Sequence, residues 1–432
     1  MRIAHCLAFL RRHWLWCATI CFTVLHVAIL TGFFVSGSSD VELYFDYASR
    51  ILTGQMPYRD FAVEYPPGAL LIFLLPRLFA STTTAYAIAF TFEMLAFDLI
   101  CLYMIIALAR RLKLTVVSTL VIYTLSVIAV SSIAVQRYDF APAAISLAAI
   151  FVFSRGHYKS AWALVAVGAL VKLYPIALAP LFLIYQWRHQ SWQRLVEPVL
   201  VCGAVLVWGL LPFYIMSPDG LINAFSLQSG RNLQIESSYS SVLFMVHALG
   251  GSYASVFQGP VSWDLASPYS EVVAQLSLVF MFFAAAAAYI TYLLPYSQKK
   301  NEGIGPPEPQ ALGRLLNFTL ILVVVLLTTS KVFSTQFIVW LLPFIPLVSG
   351  RARHAVWPVF VVVGFLTWYV YPAHYWDIRE LHVLPMQALF LRNILLVLVA
   401  FWLWDTHEPK LKSERNCELP DGQDLCESVV TT

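Results

Sequence analysis

The sequence has few charged residues and no stretch polar enough to form a separate soluble domain. Aspartate, glutamate, lysine and arginine make up 12% of its 432 residues, whereas soluble domains carry roughly 25%. Hydrophobic residues make up 59%, and apolar runs of about 18 residues or more recur along the chain. Each of these runs is long enough to cross a membrane as a helix. Because backbone N–H and C=O groups in lipid must form hydrogen bonds with one another, each run predicts a helix. We therefore expect an all-α, polytopic protein with membrane lipids and no nucleic acid among its partners.

Several chemical motifs are also missing. The seven cysteines show no spacing typical of a metal site or a disulfide framework. The sequence contains no glycine-rich phosphate loop, no His/Cys metal spacing and no serine-hydrolase elbow. We assign no metal site and no certain cofactor, and the need for a divalent metal stays open.

Basic residues are clustered in some loops and single in others. The clusters are Arg11-Arg12, Arg110-Arg111 with Lys113, Arg155 with Lys159, Arg188 with Arg194, Lys299-Lys300, Arg351 with Arg353, and Lys410, Lys412 and Arg415 in the tail. The positive-inside rule places these clusters and both termini in the cytoplasm. The single cations then fall on the opposite side, and they are Arg50, Arg59, Arg137, Lys172, Arg231, Lys331 and Arg379.

This alternation predicts about twelve membrane spans. Their approximate bounds are 14–35, 85–109, 114–134, 139–154, 160–171, 174–187, 195–215, 272–295, 314–330, 335–349, 355–371 and 383–404. We interpret residues 1–404 as a single transmembrane domain, with outer loops at about 36–65 and 216–271, and residues 405–432 as a disordered cytoplasmic tail.

The apolar segment at 66–80 is too short for a full span. Counting it as one would move Arg110-Arg111 to the outer side. We expect it to re-enter the membrane or lie on its outer face, and a crossing remains the alternative. Within the first outer loop, apolar residues at helical spacing from about Val41 to Leu52 predict a helix on the membrane surface.

Lys172 and Lys331 are lone lysines at the outer ends of short apolar helices. A charge at that position is costly and is usually paired or functional, although a lysine can also extend to the interface. Together with Arg137 and Arg231 they predict a cationic pocket that suits a lipid phosphate. Asp40 precedes the predicted surface helix, where it could act as an N-cap or as a reactive carboxylate.

Four blocks of residues occur in a fixed order between about 40 and 345. They are Asp40-x-x-x-Tyr44 with Gly54-x-x-Pro57-Tyr58 and Glu64-Tyr65-Pro66-Pro67; Arg137-Tyr138-Asp139 with Pro142-Ala143; Lys172-Leu173-Tyr174-Pro175 with Pro180; and Phe333-Ser334-Thr335-Gln336-Phe337 with Trp340 and Pro343. The pattern resembles the GT-C superfamily of membrane glycosyltransferases and is most similar to glycosyltransferase family 87. That family includes polyprenol-phosphate-mannose-dependent alpha-mannosyltransferases.

The resemblance implies a GT-C-type fold with a helical first outer loop and an active site on the periplasmic or extracellular side of the plasma (inner) membrane. It implies a catalytic aspartate in the first outer loop, where Asp40 stands, and a polyprenyl-phosphate-sugar donor as co-substrate. We expect inverting transfer of a hexose, with mannose the expected sugar, to a lipid or glycan acceptor. Asp46 and Asp139 are alternative bases.

The remaining site residues are assigned by charge and polarity. The expected phosphate-binding residues are Lys172, Arg231, Lys331 and Arg137. The expected sugar- or acceptor-binding residues are Tyr44, Tyr58, Glu64, Tyr65, Asp139, Tyr174, Gln234, Glu236 and Gln336. A lipid or solute transporter or flippase is the alternative function, although the sequence shows no pair of related halves, which many transporters have.

Overall fold

The computed structural model describes residues 2–32, 39–190, 193–294 and 306–405. In chain order the helices are α1 (Arg2–Gly32), α2 (Ser39–Leu52), α3 (Pro67–Arg77), α4 (Thr83–Arg111), α5 (Val116–Ala134), α6 (Phe140–Ser154), α7 (Tyr158–Val171), α8 (Leu178–His189), α9 (Gln193–Met216), α10 (Pro218–Ser229), α11 (Ser238–Ala248), α12 (Ser270–Leu293), α13 (Pro309–Thr329), α14 (Arg353–Trp368), α15 (Tyr375–Arg379) and α16 (Val383–Asp405). An antiparallel hairpin, β1 (Ser255–Gln258) and β2 (Trp263–Ala266), lies between α11 and α12.

Eight helices in the described part of the chain are long and apolar enough to cross a membrane. They are α1, α4, α5, α9, α12, α13, α14 with the turn after it, and α16. Each of them coincides with a predicted span, so the prediction of an all-α polytopic membrane protein is confirmed. Of the predicted tail at 405–432, residues 406–432 lie outside the described residues.

The other four predicted spans are shorter than a full crossing or irregular. Three of them correspond to α6, to α7, and to α8 with the 3₁₀ turn Tyr174–Ala177 before it. The fourth, at 335–349, is not a regular helix but two 3₁₀ segments, Thr335–Leu341 and Ile345–Leu347. Pro343 and Pro346 explain this difference, because proline has no N–H to donate inside a helix.

Helix burial distinguishes the centre of the molecule from its lipid-facing surface. Most of α13 is buried, whereas α9 and α12 expose most of their apolar side chains. Between α1, α4 and α5, His26 Nδ1 lies 2.7 Å from Asp98 Oδ2, and the Tyr123 hydroxyl donates to Asp98 Oδ1 at 2.7 Å. These contacts satisfy a fully buried carboxylate inside the apolar bundle.

Contacts between loops agree with the predicted alternation of sides. Arg111 donates to the Pro307 carbonyl at 3.1 Å, and Arg188 donates to the Leu294 carbonyl at 3.2 Å. Both contacts join segments assigned to the same, cytoplasmic side. On the other side, the Gln234 N–H donates to the Lys331 carbonyl at 3.0 Å.

The first outer loop is packed tightly against the helices behind it. Tyr44 of α2 stacks on Phe73 of α3 with ring centroids 4.1 Å apart. The Tyr58 hydroxyl donates to the Tyr65 carbonyl at 2.6 Å, and Ser217 Oγ donates to the Tyr58 carbonyl at 3.0 Å. The 11 residues of α3 extend about 16 Å, which is too short to cross the membrane as a helix.

Candidate active site

Polar residues from five separate segments meet at the predicted outer end of the bundle. The segments are the first turn of α2, the connection 135–139 between α5 and α6, the residue that ends α7, the stretch 230–237 and the stretch 330–337. These stretches connect or end apolar helices, so their polar residues lie together at one end of the bundle.

Asp40 forms an ion pair with Arg137. The Asp40 side chain is 25% exposed and that of Arg137 is 9% exposed, so the carboxylate is partly accessible and the guanidinium is largely buried. Arg137 Nη2 also donates to the Tyr371 hydroxyl at 3.1 Å. The helix α2 begins at Ser39, which places Asp40 inside the first turn and not at the position before it.

Lys172 and Asp139 form a second, deeper ion pair. Lys172 Nζ donates to Asp139 Oδ1 at 2.5 Å, and Trp340 Nε1 donates to the same oxygen at 2.5 Å. The ammonium lies 4.5, 4.8 and 5.1 Å from the ring centroids of Tyr138, Phe337 and Trp340. The side chains of Lys172 and Asp139 are only 14% and 1% exposed. Asp139 is therefore the counter-ion of Lys172 in this structure, which leaves it poorly placed for the alternative role of base.

Arg231 and Lys331 are two further cations on this side, and both are partly buried. Lys331 Nζ donates to the Ser229 carbonyl at 2.7 Å, and Arg231 donates to Gln228 Oε1 at 3.4 Å. Partial burial lowers the pKa of Lys331, and the charge of Arg231 lowers it further. The two cations are thus close enough to repel each other, and an anion between them would relieve that repulsion.

Glu64 faces this cationic region. Burial raises its pKa above the ordinary glutamate value, and the positive charge of Arg231 opposes that rise. Burial also lowers the pKa of Arg231, against the attraction of Asp264 and Glu64. Glu64 therefore lies beside Arg231, one of the predicted phosphate-binding residues. At that position its carboxylate could accept hydrogen bonds from sugar hydroxyls.

Gln234 and Glu236 hold the stretch 330–337 in place. Gln234 Nε2 donates to Ser334 Oγ at 2.8 Å, and the Thr335 N–H donates to Glu236 Oε1 at 3.1 Å. Arg392 donates to the Glu236 carbonyl at 2.8 Å. Both predicted binding residues are buried, so in this structure they support the site from within and are not accessible to a sugar. Gln336, which follows Thr335, is half-buried.

The tyrosines predicted to bind the sugar occupy different positions. Tyr44 is buried against Phe73, and Tyr58 is buried where the first loop contacts α10. Tyr174 stacks under Trp340 at 4.1 Å and accepts a hydrogen bond from Ser146. Tyr65 is half-buried and packs edge-on to Tyr138 at 5.4 Å. Of the four, Tyr65 is the one least covered by neighbouring side chains.

Three contributing residues were absent from the sequence-based site. Tyr371 contacts Arg137, Trp340 contacts Asp139, and the fully buried Arg392 supports Glu236. A lone arginine inside an apolar span is a recognised sign of a function or a buried partner, so Arg392 could have been identified. Within the described residues, no three His, Cys, Asp or Glu side chains form a group that could hold a metal ion.

Comparison with known sequences identifies the family. The profile described as glycosyltransferase family 87 matches residues 63–305, more than half of the chain. The chain belongs to glycosyltransferase family 87. The matched region of this glycosyltransferase contains Glu64, Arg137, Lys172 and Arg231, whereas Asp40 and Lys331 lie outside it. The predicted recognition as a membrane glycosyltransferase of this family is confirmed.

Solved structures show more distant similarities to this glycosyltransferase. A crystal structure of ArnT from Cupriavidus metallidurans bound to undecaprenyl phosphate is 12% identical with a TM-score of 0.49, covering 90% of this chain and 77% of that one. The apo structure of the same protein is 13% identical with a TM-score of 0.48, covering 90% and 76%. No curated protein sequence matches the chain.

Proposed function

We propose that this membrane glycosyltransferase takes a sugar from a polyprenyl-phosphate-linked donor and transfers it, with inversion, to a hydroxyl group of a lipid or glycan acceptor. The observation that carries this proposal is the position of the Asp40 carboxylate. It lies partly exposed at the rim of the bundle, paired with Arg137, on the side where Lys172, Arg231 and Lys331 also lie. One potential base and several cations therefore lie on the same side of the bundle.

The chemistry needs only one carboxylate from the protein. Asp40 takes the proton of the acceptor hydroxyl as its oxygen attacks the anomeric carbon. The bond between that carbon and the phosphate oxygen breaks, and its electron pair leaves with the phosphate. Because a phosphate is already a good leaving group, no general acid is needed, in contrast to glycoside hydrolysis with its two carboxylates.

The cations have unequal roles in this proposal. Positioned positive charge stabilises the negative charge that develops on the leaving phosphate. Arg231 and Lys331 are available for this, because no carboxylate lies within ion-pair distance of either among the described residues. Lys172 is already neutralised by Asp139. We therefore expect it to contribute mainly by holding in place the neighbouring segments that contain Arg137 and Trp340.

The sugar and the membrane follow from the family resemblance. We propose a hexose, with mannose the first candidate, held by Glu64 and Tyr65 at the rim. The site would open to the periplasmic or extracellular side of the plasma membrane, where the phosphate of a polyprenyl chain meets the single cations of the outer loops. A divalent metal is not required by this scheme.

Replacing Asp40 by asparagine tests the proposal. Asp40→Asn should reduce sugar transfer by at least about 100-fold, because asparagine cannot accept the proton. Transfer is measured with purified, reconstituted protein and radiolabelled polyprenyl-phosphate-mannose. Asp46→Asn is the matched control, since Asp46 lies on the same helix, half-exposed and paired with Arg50. Full activity of Asp40→Asn, or loss of activity in Asp46→Asn alone, would remove Asp40 from this role.

A further inference from the structure

The contacts of Arg137 connect the proposed base to a loop that the sequence left without a role. One nitrogen of its guanidinium pairs with Asp40, and another donates to the Tyr371 hydroxyl at 3.1 Å. The guanidinium carbon lies 5.8 Å from the centroid of the Tyr371 ring. Arg137 is thus held by a carboxylate on one side and by an aromatic hydroxyl on the other.

The segment that carries Tyr371 is itself anchored. Arg379 of α15 lies between two tryptophans, with its guanidinium carbon 3.2 Å from the ring centroid of Trp263 and 3.9 Å from that of Trp376. Trp263 belongs to β2, so the stacked arginine joins this segment to the hairpin of the second outer loop. Tyr371 itself packs edge-on against Tyr375, with ring centroids 5.2 Å apart, so it belongs to a segment that is held in place by packing.

The charge balance of the proposed reaction gives Arg137 a second partner. Before transfer, Asp40 carries one negative charge and the donor phosphodiester carries one. After transfer, Asp40 is protonated and neutral, and the released polyprenyl phosphate has gained a second negative charge. One unit of negative charge has moved from Asp40 to the phosphate. A guanidinium has five N–H donors in a planar fork, so it can serve two anions in turn while keeping its bond to Tyr371.

We propose that Arg137 is shared between the base and the leaving group, and that Tyr371 is the positioning residue that keeps its guanidinium between them. Arg137 neutralises Asp40 before transfer and turns to the phosphate as Asp40 takes up the proton. The inference rests on the proposed function. It adds that Asp40 and the leaving phosphate compete for the guanidinium of Arg137.

Competition can be measured by binding, without any catalytic turnover. Removing the Asp40 charge should free Arg137, so Asp40→Asn should bind undecaprenyl phosphate about 10-fold more tightly than the unmodified protein, within the usual range of coupling between sites. The gain should vanish in the double variant Asp40→Asn with Arg137→Ala. Asp60→Asn is the matched control, because Asp60 is also paired with an arginine, Arg59, in the same outer loop.

The outcomes separate the inference from the function beneath it. Tighter binding that depends on Arg137 supports the inference. Unchanged binding in Asp40→Asn, or a gain that persists without Arg137, overturns it while leaving sugar transfer by the unmodified protein intact. If the unmodified protein neither binds undecaprenyl phosphate nor transfers sugar, the proposed function fails and the inference fails with it.

Tyr371 has its own test. Tyr371→Phe keeps the ring but removes the hydroxyl, so the rate at saturating donor should fall about 10-fold, the equivalent of one hydrogen bond to a charged group. The KM for the donor should change much less, because Arg231 and Lys331 still bind the phosphate. Tyr289→Phe is the control, since the Tyr289 hydroxyl donates a single bond to the Ala177 carbonyl at 2.9 Å. A change in KM alone, or equal losses in both variants, contradicts a positioning role.

Discussion

Among single residues, Lys172 shows how a charge is kept inside an apolar bundle. Its ammonium pairs with Asp139 and lies over three aromatic rings. Removing one partner of a buried pair leaves the other charge uncompensated. Asp139→Ala should therefore lower the free energy of unfolding by about 3–5 kcal/mol, measured by denaturant titration in detergent micelles.

A double variant provides the control for that loss. Asp139→Asn with Lys172→Met removes both charges while retaining an oxygen that can accept from Trp340. Replacing a whole buried pair often costs little, so this protein should be more stable than Asp139→Ala. If the double variant is the less stable of the two, the cost of Asp139→Ala does not come from leaving Lys172 without its counter-ion.

The pH dependence of stability should reflect Glu64. Burial raises its pKa in the folded state, so the folded protein binds this proton more tightly than the unfolded chain does. Its contribution is complete below the unfolded pKa and is lost as the pH rises through the folded pKa. Glu64→Gln removes this loss, so its melting temperature relative to the unmodified protein should rise as the pH increases from the ordinary glutamate pKa through the raised pKa of Glu64. A difference that stays constant or falls over that range would contradict the burial of Glu64.

The identity of these ionisable residues was predictable, but their partners were not. A lone lysine at the end of an apolar helix is visible in the sequence because of its cost in lipid. Its counter-ion Asp139 is 33 residues away, and Trp340, which binds the same oxygen, is 201 residues from Asp139. Such pairs depend on how the helices pack, and no local pattern encodes them. The contact between Tyr371 and Arg137 could not be predicted for the same reason, because the two residues are 234 positions apart.

At the scale of helices and loops, the contact between the first outer loop and α10 is unusually close. A Cβ atom on Gly220 would lie 1.8 Å from the Tyr58 carbonyl oxygen and 2.6 Å from Ser217 Oγ. Gly220→Ala should therefore displace this loop and cost about 1–3 kcal/mol, as overpacking usually does. Thermal unfolding and proteolysis of the loop would both report it. Gly203→Ala is the control, because nothing lies within 4 Å of that added atom, and equal effects would refute a specific contact.

Hydropathy predicted most ends of the long apolar helices to within a few residues, but it did not predict α10, α11 or α15. The helix predicted from about Val41 to Leu52 is observed at Ser39–Leu52, and the span predicted at 114–134 is observed at Val116–Ala134. Hydropathy failed at 335–349, because two prolines make an apolar segment irregular without making it less apolar. It also missed the hairpin of β1 and β2, whose four-residue strands are too short to show a clear alternation.

For the whole molecule, the arrangement of the two sides can be tested by chemical labelling. Tyr253, in the second outer loop, and Lys159, in the first turn of α7, are both well exposed. In a variant without the seven native cysteines, Tyr253→Cys should react with a membrane-impermeant maleimide in intact cells. Lys159→Cys should react only after the membrane is permeabilised, because positive loops face the cytoplasm. The reverse pattern would invert the proposed topology and place the site in the cytoplasm.

The short helices α6 and α7 have a consequence for the depth of the site within the membrane. With 15 and 14 residues they extend only about 21–23 Å, against roughly 30 Å for a typical hydrocarbon layer. Because α6 and α7 are mostly buried among other helices, water or polar side chains inside the protein, and not lipid head groups, must meet their ends. The reacting atoms would then lie below the surrounding head groups, so an acceptor must lower its hydroxyl into a depression, which favours slender, flexible molecules over broad, rigid ones.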